Sequence, residues 1–141
     1  MLWVKTFFGI LFQTALLAIF LYLPALTLNW PDAFLFLTIH FLITILASAY
    51  LLIVKPASIE ARMNYDSETQ PKEDRLATVL MLSAIVVGLS LAPIDIFHLN
   101  LSSNFEGNIK NIGLAIYIIG MLFFMASMNA NEFAETTVNI Q

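Results

Sequence analysis

Four long apolar blocks constrain the fold of this chain more than any other feature of its sequence. They cover residues 6–28, 33–54, 76–97 and 112–128. A helix rises 1.5 Å per residue, so roughly twenty apolar residues cross the ~30 Å hydrocarbon core of a bilayer. Because backbone polar groups inside a bilayer must be satisfied within their own segment, such blocks predict helices. We therefore predict an all-α integral membrane bundle of four transmembrane helices, forming a single domain over residues 1–141.

Composition agrees with a bilayer environment and excludes several classes of function. Hydrophobic residues make up 60% of the chain and charged residues only 11%, which disfavours a water-soluble core. The net charge is −4 and there is no basic patch, so we predict the lipid bilayer as partner and no nucleic acid. Cysteine is absent, which removes disulfides and thiolate chemistry. No HExxH-type motif occurs, and we predict no metal site.

The basic residues predict how the bundle is oriented. Four of the six lie in the polar connector 55–75 between the second and third helices, Lys5 precedes the first helix, and Lys110 lies in the third loop. The positive-inside rule then places the connector and both termini in the cytoplasm. Within the connector, Ile59 and Met63 are four residues apart, which favours a short interfacial helix over residues 57–63 and a loop over 64–71.

Three polar residues of the second block, His40, Thr44 and Ser48, recur every four residues and so share one helix face. Polar side chains at membrane depth need a protein or water partner. One interpretation is a path for protons or a substrate. The other, which we favour, is hydrogen bonding to a neighbouring helix. Gln13 of the first block is interpreted in the same way.

Small residues of the fourth block, Gly113, Gly120 and Ser127, recur every seven residues. This stripe predicts a groove in which another helix approaches closely, and it continues to Asn131 at the cytoplasmic edge. Asp95 and His98 lie near the opposite boundary, where a solvated pair is favoured over a catalytic dyad. No phosphate loop and no nucleophile elbow occurs, so no independent catalytic centre is visible.

Short segments of the chain, taken in order, resemble one known family. They are the hairpin turn Leu23–Phe34, the connector motifs Lys55-Pro56, Arg62-Met63 and Asp74-Arg75, the acidic residue Asp95, and the segment from Asn129 to Phe133 continuing to Gln141. Together they resemble the N-terminal portion of isoprenylcysteine carboxyl methyltransferase-like membrane enzymes, including prokaryotic relatives. In the turn, Leu26 stands where the family usually has glycine.

The resemblance implies methyl transfer from S-adenosylmethionine at the cytosolic membrane face, to a carboxylate or another lipid-accessible nucleophile. The family's cofactor motif, GPYxxxRHPxYxG-like, follows the point that corresponds to Gln141 and has no counterpart in these residues. We therefore expect this chain to be inactive alone, as a truncated gene product, a partial sequence or one part of a split protein with a separate C-terminal partner chain. A prokaryotic cell membrane is favoured over the endoplasmic reticulum.

Asn131 and Gln141 are the candidate cofactor-binding residues, at the rim of the expected S-adenosylmethionine pocket, and the catalytic residues stay unknown. For both, a polar helix end in the headgroup layer is the favoured alternative. Two other functions compete with the enzyme: a non-catalytic four-helix scaffold or regulatory subunit, and a small transporter. A transporter needs broken helices or charged residues at mid-membrane, and apart from His40 the sequence supplies almost none.

Overall fold

A computed structural model describes residues 1–63, 72–101 and 107–130, and every regular element in these ranges is helical. The elements are α1 (Leu2–Ala25), α2 (Pro31–Val54), α3 (Pro56–Met63), α4 (Lys72–Ile94) with a π-helix directly after it (Asp95–Leu99), and α5 (Gly107–Ala130). Four of the helices are long and apolar enough to cross a membrane. The predicted all-α, multi-pass membrane architecture is confirmed.

The first two long helices form an antiparallel hairpin. α1 ends because Leu26 takes a left-handed conformation with φ of 55°, and its N–H donates to the carbonyls of Tyr22 and Leu23. Proline then occupies the first position of α2, where its fixed φ suits a helix start and its missing N–H costs no hydrogen bond. Leu21 of α1 packs against Ala33 and Leu37 of α2, and these buried side chains form the core of the hairpin.

The long helices pack in the order α4, α1, α2, α5. α2 is the most buried of them, and only a small share of α4 and α5 is buried. α5 packs mainly against α2. The bundle formed by the described residues is therefore an open arc of helices with a wide apolar surface, as expected for a protein whose surroundings are lipid.

Alternating helix directions give the bundle two ends. The Lys55 end contains the start of α1, the end of α2, α3 and the end of α5. The Trp30 end contains the α1–α2 turn, the π-helix and the start of α5. His98 of the π-helix donates from Nε2 to the carbonyl of Pro24, at 2.8 Å, which satisfies a carbonyl at the end of α1 that its own helix leaves unpaired.

Helix boundaries differ from the predicted ones where polar residues continue a helix. The third helix was expected to end near residue 97, but the chain stays helical to Leu99 through the π-helix, past a fully buried Pro93. α5 begins at Gly107, five residues before its apolar block, so its first turn lies outside that block and is mostly polar. The predicted short helix over residues 57–63 is confirmed as α3, and its position at the membrane interface stays a prediction. The predicted loop 64–71 lies outside the described residues.

Candidate functional site

A tight apolar cluster closes the Lys55 end. Leu51 and Leu52 at the end of α2 pack against Ile59 of α3, and all three are buried. Leu2 of α1 and Met128 of α5 pack against the cluster from the sides. Ile59 is one of the two apolar residues that predicted this short helix, and its packing against α2 anchors α3 to the bundle.

Polar groups from the end of α2, from α3 and from the last turn of α5 lie next to this cluster. The Lys55 Nζ donates to the main-chain carbonyl of Asn129, 74 residues away, and so joins the end of α2 to the last turn of α5. Ser58 of α3 is 1% exposed. Within the part of the chain that the structure describes, neither the Ser58 hydroxyl nor the Asn129 side-chain oxygen has a hydrogen-bond partner. Buried polar groups of this kind normally have one, so both atoms have capacity for a further contact.

The Trp30 end is built differently, around a pocket of about 670 Å³. Its walls come from the start of α2, from the π-helix and from the first turns of α5. The apolar lining residues are Trp30, Leu35, Phe36, Ile96, Gly113 and Leu114, and the polar ones are Asp32, Asn108, Lys110, Asn111 and Tyr117. Trp30 is fixed in place by edge-on contacts with Tyr22 and Phe97, with ring centroids 6.4 and 5.3 Å away.

An ion pair lies among the polar lining residues of this pocket. Lys110 Nζ donates to the Asp32 carboxylate at 2.5 Å, and the two side chains are 62% and 55% exposed. Exposed pairs add little to stability. Their main effect is local, because the cation and the anion compensate each other and leave this part of the pocket without net charge.

A half-buried group of rings lies further along α2 and α5 from the Trp30 end. The Tyr117 hydroxyl, from α5, is hydrogen-bonded to Nδ1 of His40, from α2. Phe36 stacks on the His40 ring at 6.3 Å and contacts the Tyr117 ring at 4.9 Å. For His40 the predicted hydrogen bond between helices is confirmed. Its Nε2 and the Thr44 hydroxyl are buried and have no partner among the described residues.

The other predicted polar residues have separate environments. Asp95 accepts a hydrogen bond from the Leu101 N–H at 2.8 Å and His98 bonds the Pro24 carbonyl, so each of these side chains engages the main chain. Gln13 is exposed on α1. A Cβ atom added to Gly113 or Gly120 would meet no atom within 4 Å, so none of the described helices occupies the predicted groove.

The two candidate cofactor-binding residues, Asn131 and Gln141, lie outside the described residues. Sequence reasoning missed Tyr117, Ser58 and the Lys110–Asp32 pair. For that pair a signal existed, because the predicted topology puts the two opposite charges on the same side of the membrane. For Tyr117 and Ser58 there was none, since their importance comes from packing alone. No family model, curated protein or solved structure matches this chain.

Proposed function

We propose that this chain is the membrane-embedded part of an S-adenosylmethionine-dependent methyltransferase of the isoprenylcysteine carboxyl methyltransferase-like kind. One observation supports this most directly. Lys55 and Asn129, which begin two separate segments that resemble the family, are hydrogen-bonded to each other at one end of the bundle. A membrane enzyme that works at one face needs its distant motifs gathered at that face.

The position of α5 supports the proposal that the Lys55 end is the surface against which a C-terminal catalytic polypeptide packs. α5 ends at Ala130 beside α3, so the polypeptide that follows starts from the Lys55 end. The Ser58 hydroxyl and the Asn129 side-chain oxygen have no hydrogen-bond partner among the described residues, so a downstream segment can bond to them. S-adenosylmethionine is polar and needs several positioned donors and acceptors. The family that the chain resembles has its cofactor motif after the point that corresponds to Gln141, so we assign the cofactor site mainly there, with Asn131 and Gln141 at its rim.

The proposal includes the orientation of the bundle. Lys5 and the four basic residues of the connector belong to the Lys55 end, while Lys110 belongs to the Trp30 end. By the positive-inside rule the Lys55 end faces the cytoplasm, where S-adenosylmethionine is available. We place the protein in a prokaryotic cell membrane on the resemblance to prokaryotic members of the family.

Calorimetric titration with S-adenosylmethionine tests the proposal. The chain would be purified in detergent and titrated alone, then again with the polypeptide encoded directly downstream. We expect heat of binding only from the mixture. Binding by the chain alone would contradict the assignment of the cofactor site to residues after Gln141. Absence of binding in both titrations would contradict the methyltransferase proposal and favour a non-catalytic scaffold or regulatory subunit.

A matched pair of variants tests whether the Lys55 end is this packing surface. Lys55→Met removes the bond to Asn129 and keeps a long side chain, whereas Lys5→Met removes an equal charge from an exposed position at the same end. We expect Lys55→Met to weaken co-purification of the downstream polypeptide about tenfold, and Lys5→Met to leave it unchanged. Equal effects of the two variants would show that only charge matters there.

A further inference from the structure

We propose that the pocket at the Trp30 end binds a single-chain amphiphile with a neutral polar head group, taken from the adjoining leaflet of the bilayer. This ligand site lies at the opposite end from the proposed methyl-transfer face and does not depend on that proposal. It follows from the size, the depth and the charge of the pocket.

Size and lining fit one apolar chain. A volume of about 670 Å³ lies in the middle of the range, roughly 300–1,000 Å³, of sites that hold drug-sized ligands. Trp30, Phe36 and Leu114 give the pocket apolar walls. A two-chain phospholipid is larger than such ligands, and a small polar metabolite would leave the apolar walls unmatched. A single acyl or isoprenoid chain matches both properties.

The pocket extends along α5 for less than the depth of one leaflet. Lys110 and Tyr117 are seven residues apart on α5, which is about 10 Å along a helix axis. This is about a third of the ~30 Å hydrocarbon core. A ligand with its head group near Lys110 would therefore have its chain along the wall of α5 and reach the Tyr117–His40 pair. Among the described residues α5 packs mainly against α2, so its side toward the π-helix is the side from which we propose that lipid enters.

The polar lining residues determine the head group. Lys110 and Asp32 neutralise each other at 2.5 Å, and the amides of Asn108 and Asn111 add donors and acceptors without charge. An anionic head group would have to compete with Asp32 for the lysine. A cationic one would have to compete with Lys110 for the carboxylate. Hydroxyl, ester or amide head groups can bond to the asparagines and leave the ion pair intact.

Photolabelling in vesicles tests the proposal. The full chain would be reconstituted in phosphatidylcholine vesicles that contain a monoacylglycerol with a diazirine in its acyl chain. After irradiation, mass spectrometry would locate the adducts. We expect adducts concentrated on residues 30–36 and 108–117. Adducts spread evenly over all four long helices would overturn the proposal, because they would show only general contact with lipid.

Two glycine variants provide a matched comparison. At both Gly113 and Gly120 an added Cβ meets no atom within 4 Å, but only Gly113 lines the pocket. Gly113→Leu should fill the pocket and lower labelling of residues 30–36 and 108–117 about tenfold, while Gly120→Leu should leave it unchanged. Equal labelling in Gly113→Leu and the unaltered protein would overturn the proposal.

A second probe tests the head group. A diazirine fatty acid of the same chain length, ionised at neutral pH, should label the pocket less than the monoacylglycerol does. Asp32→Asn removes the anion that compensates Lys110, and should reverse the preference in favour of the fatty acid. Stronger labelling by the fatty acid in the unaltered protein would overturn the assignment of a neutral head group.

Discussion

The Lys55 end and the Trp30 end connect the same two helices, α2 and α5, by different means. At the Lys55 end a charged side chain bonds the main chain of α5 above a cluster of buried leucine and isoleucine side chains. At the Trp30 end the contacts are aromatic and an exposed ion pair lies beside an open pocket. One end is closed by apolar packing and the other leaves room for a ligand.

This difference indicates where stability and binding are located. α2 and α5 depend on a few polar contacts, because apolar side chains gain little from leaving lipid for another apolar surface. Contacts that are half-buried and involve a charge should therefore affect unfolding most. Contacts in the exposed part of the pocket should affect ligand choice and hardly affect unfolding. The predictions below test this ranking, with unfolding followed by far-UV circular dichroism in mixed micelles of increasing dodecyl sulfate content.

The largest effect is expected for Lys55→Met, which removes the hydrogen bond to Asn129. Hydrogen bonds to charged groups contribute about 1.5–3 kcal/mol, and we expect the free energy of unfolding to fall by that amount. Lys5→Met, at an exposed position, should change it by less than about 0.5 kcal/mol. If both variants unfolded like the unaltered protein, the Lys55 end would not be the stabilising one.

A smaller effect is expected for the Tyr117–His40 hydrogen bond. A double-mutant cycle of His40→Phe and Tyr117→Phe keeps both rings and removes the polar contact. Hydrogen bonds between transmembrane helices average about 0.6 kcal/mol and reach about 1.7, and we expect a coupling energy in that range. A coupling energy near zero would mean that this bond does not hold α5 to α2.

A stabilising change is expected at the α1–α2 turn. Leu26 has a φ of 55° and is 79% exposed, so its side chain adds strain and little packing. Leu26→Gly should raise the free energy of unfolding by about 1 kcal/mol, because glycine adopts this conformation without strain. Leu28 is 84% exposed but is not a positive-φ residue. Leu28→Gly should therefore give no stabilisation, and a gain from both variants would contradict the conformational explanation.

The smallest effect on unfolding is expected for Asp32→Asn. Exposed ion pairs contribute about 0–1 kcal/mol, and we expect a change of about 0.5 kcal/mol or less. Its effect on the preference between the neutral and anionic photolabels should be clear at the same time. A large loss of stability would remove the distinction between the two ends.

The sequence predicted the helices much better than it predicted the contacts between them. Apolar blocks identify membrane helices because the bilayer imposes both their length and their hydrogen bonding. Their ends were less accurate, since residues 107–111 include Asn108, Lys110 and Asn111 and are still helical. The face of α2 that carries His40 could be predicted from helical periodicity. Its partner Tyr117 could not, because 77 residues separate the two and only packing brings them together.

The glycine stripe of α5 illustrates the same limit. Spacing of seven residues correctly identifies a face with little side-chain bulk. It does not identify the occupant, and at Gly113 the free space belongs to the pocket. The sequence pattern therefore predicted the close approach of another helix. The described residues include the surface with little side-chain bulk, but no described helix packs against it at Gly113 or Gly120.

Because of the π-helix, the packing of the segment from Pro93 to Asn100 depends on how many residues the segment contains. Its N–H groups bond five residues back, as in the 2.7 Å bond from Asn100 to Asp95, so it contains one residue more than an α-helical turn would need. Deleting one residue there would restore the ordinary α-helical pattern, so the turn would narrow and its side chains would change position. His98, which bonds the end of α1 from this wider turn, would then be displaced. Substitutions in this segment can be tolerated, but insertions and deletions should be much rarer in any homologue that keeps this hairpin.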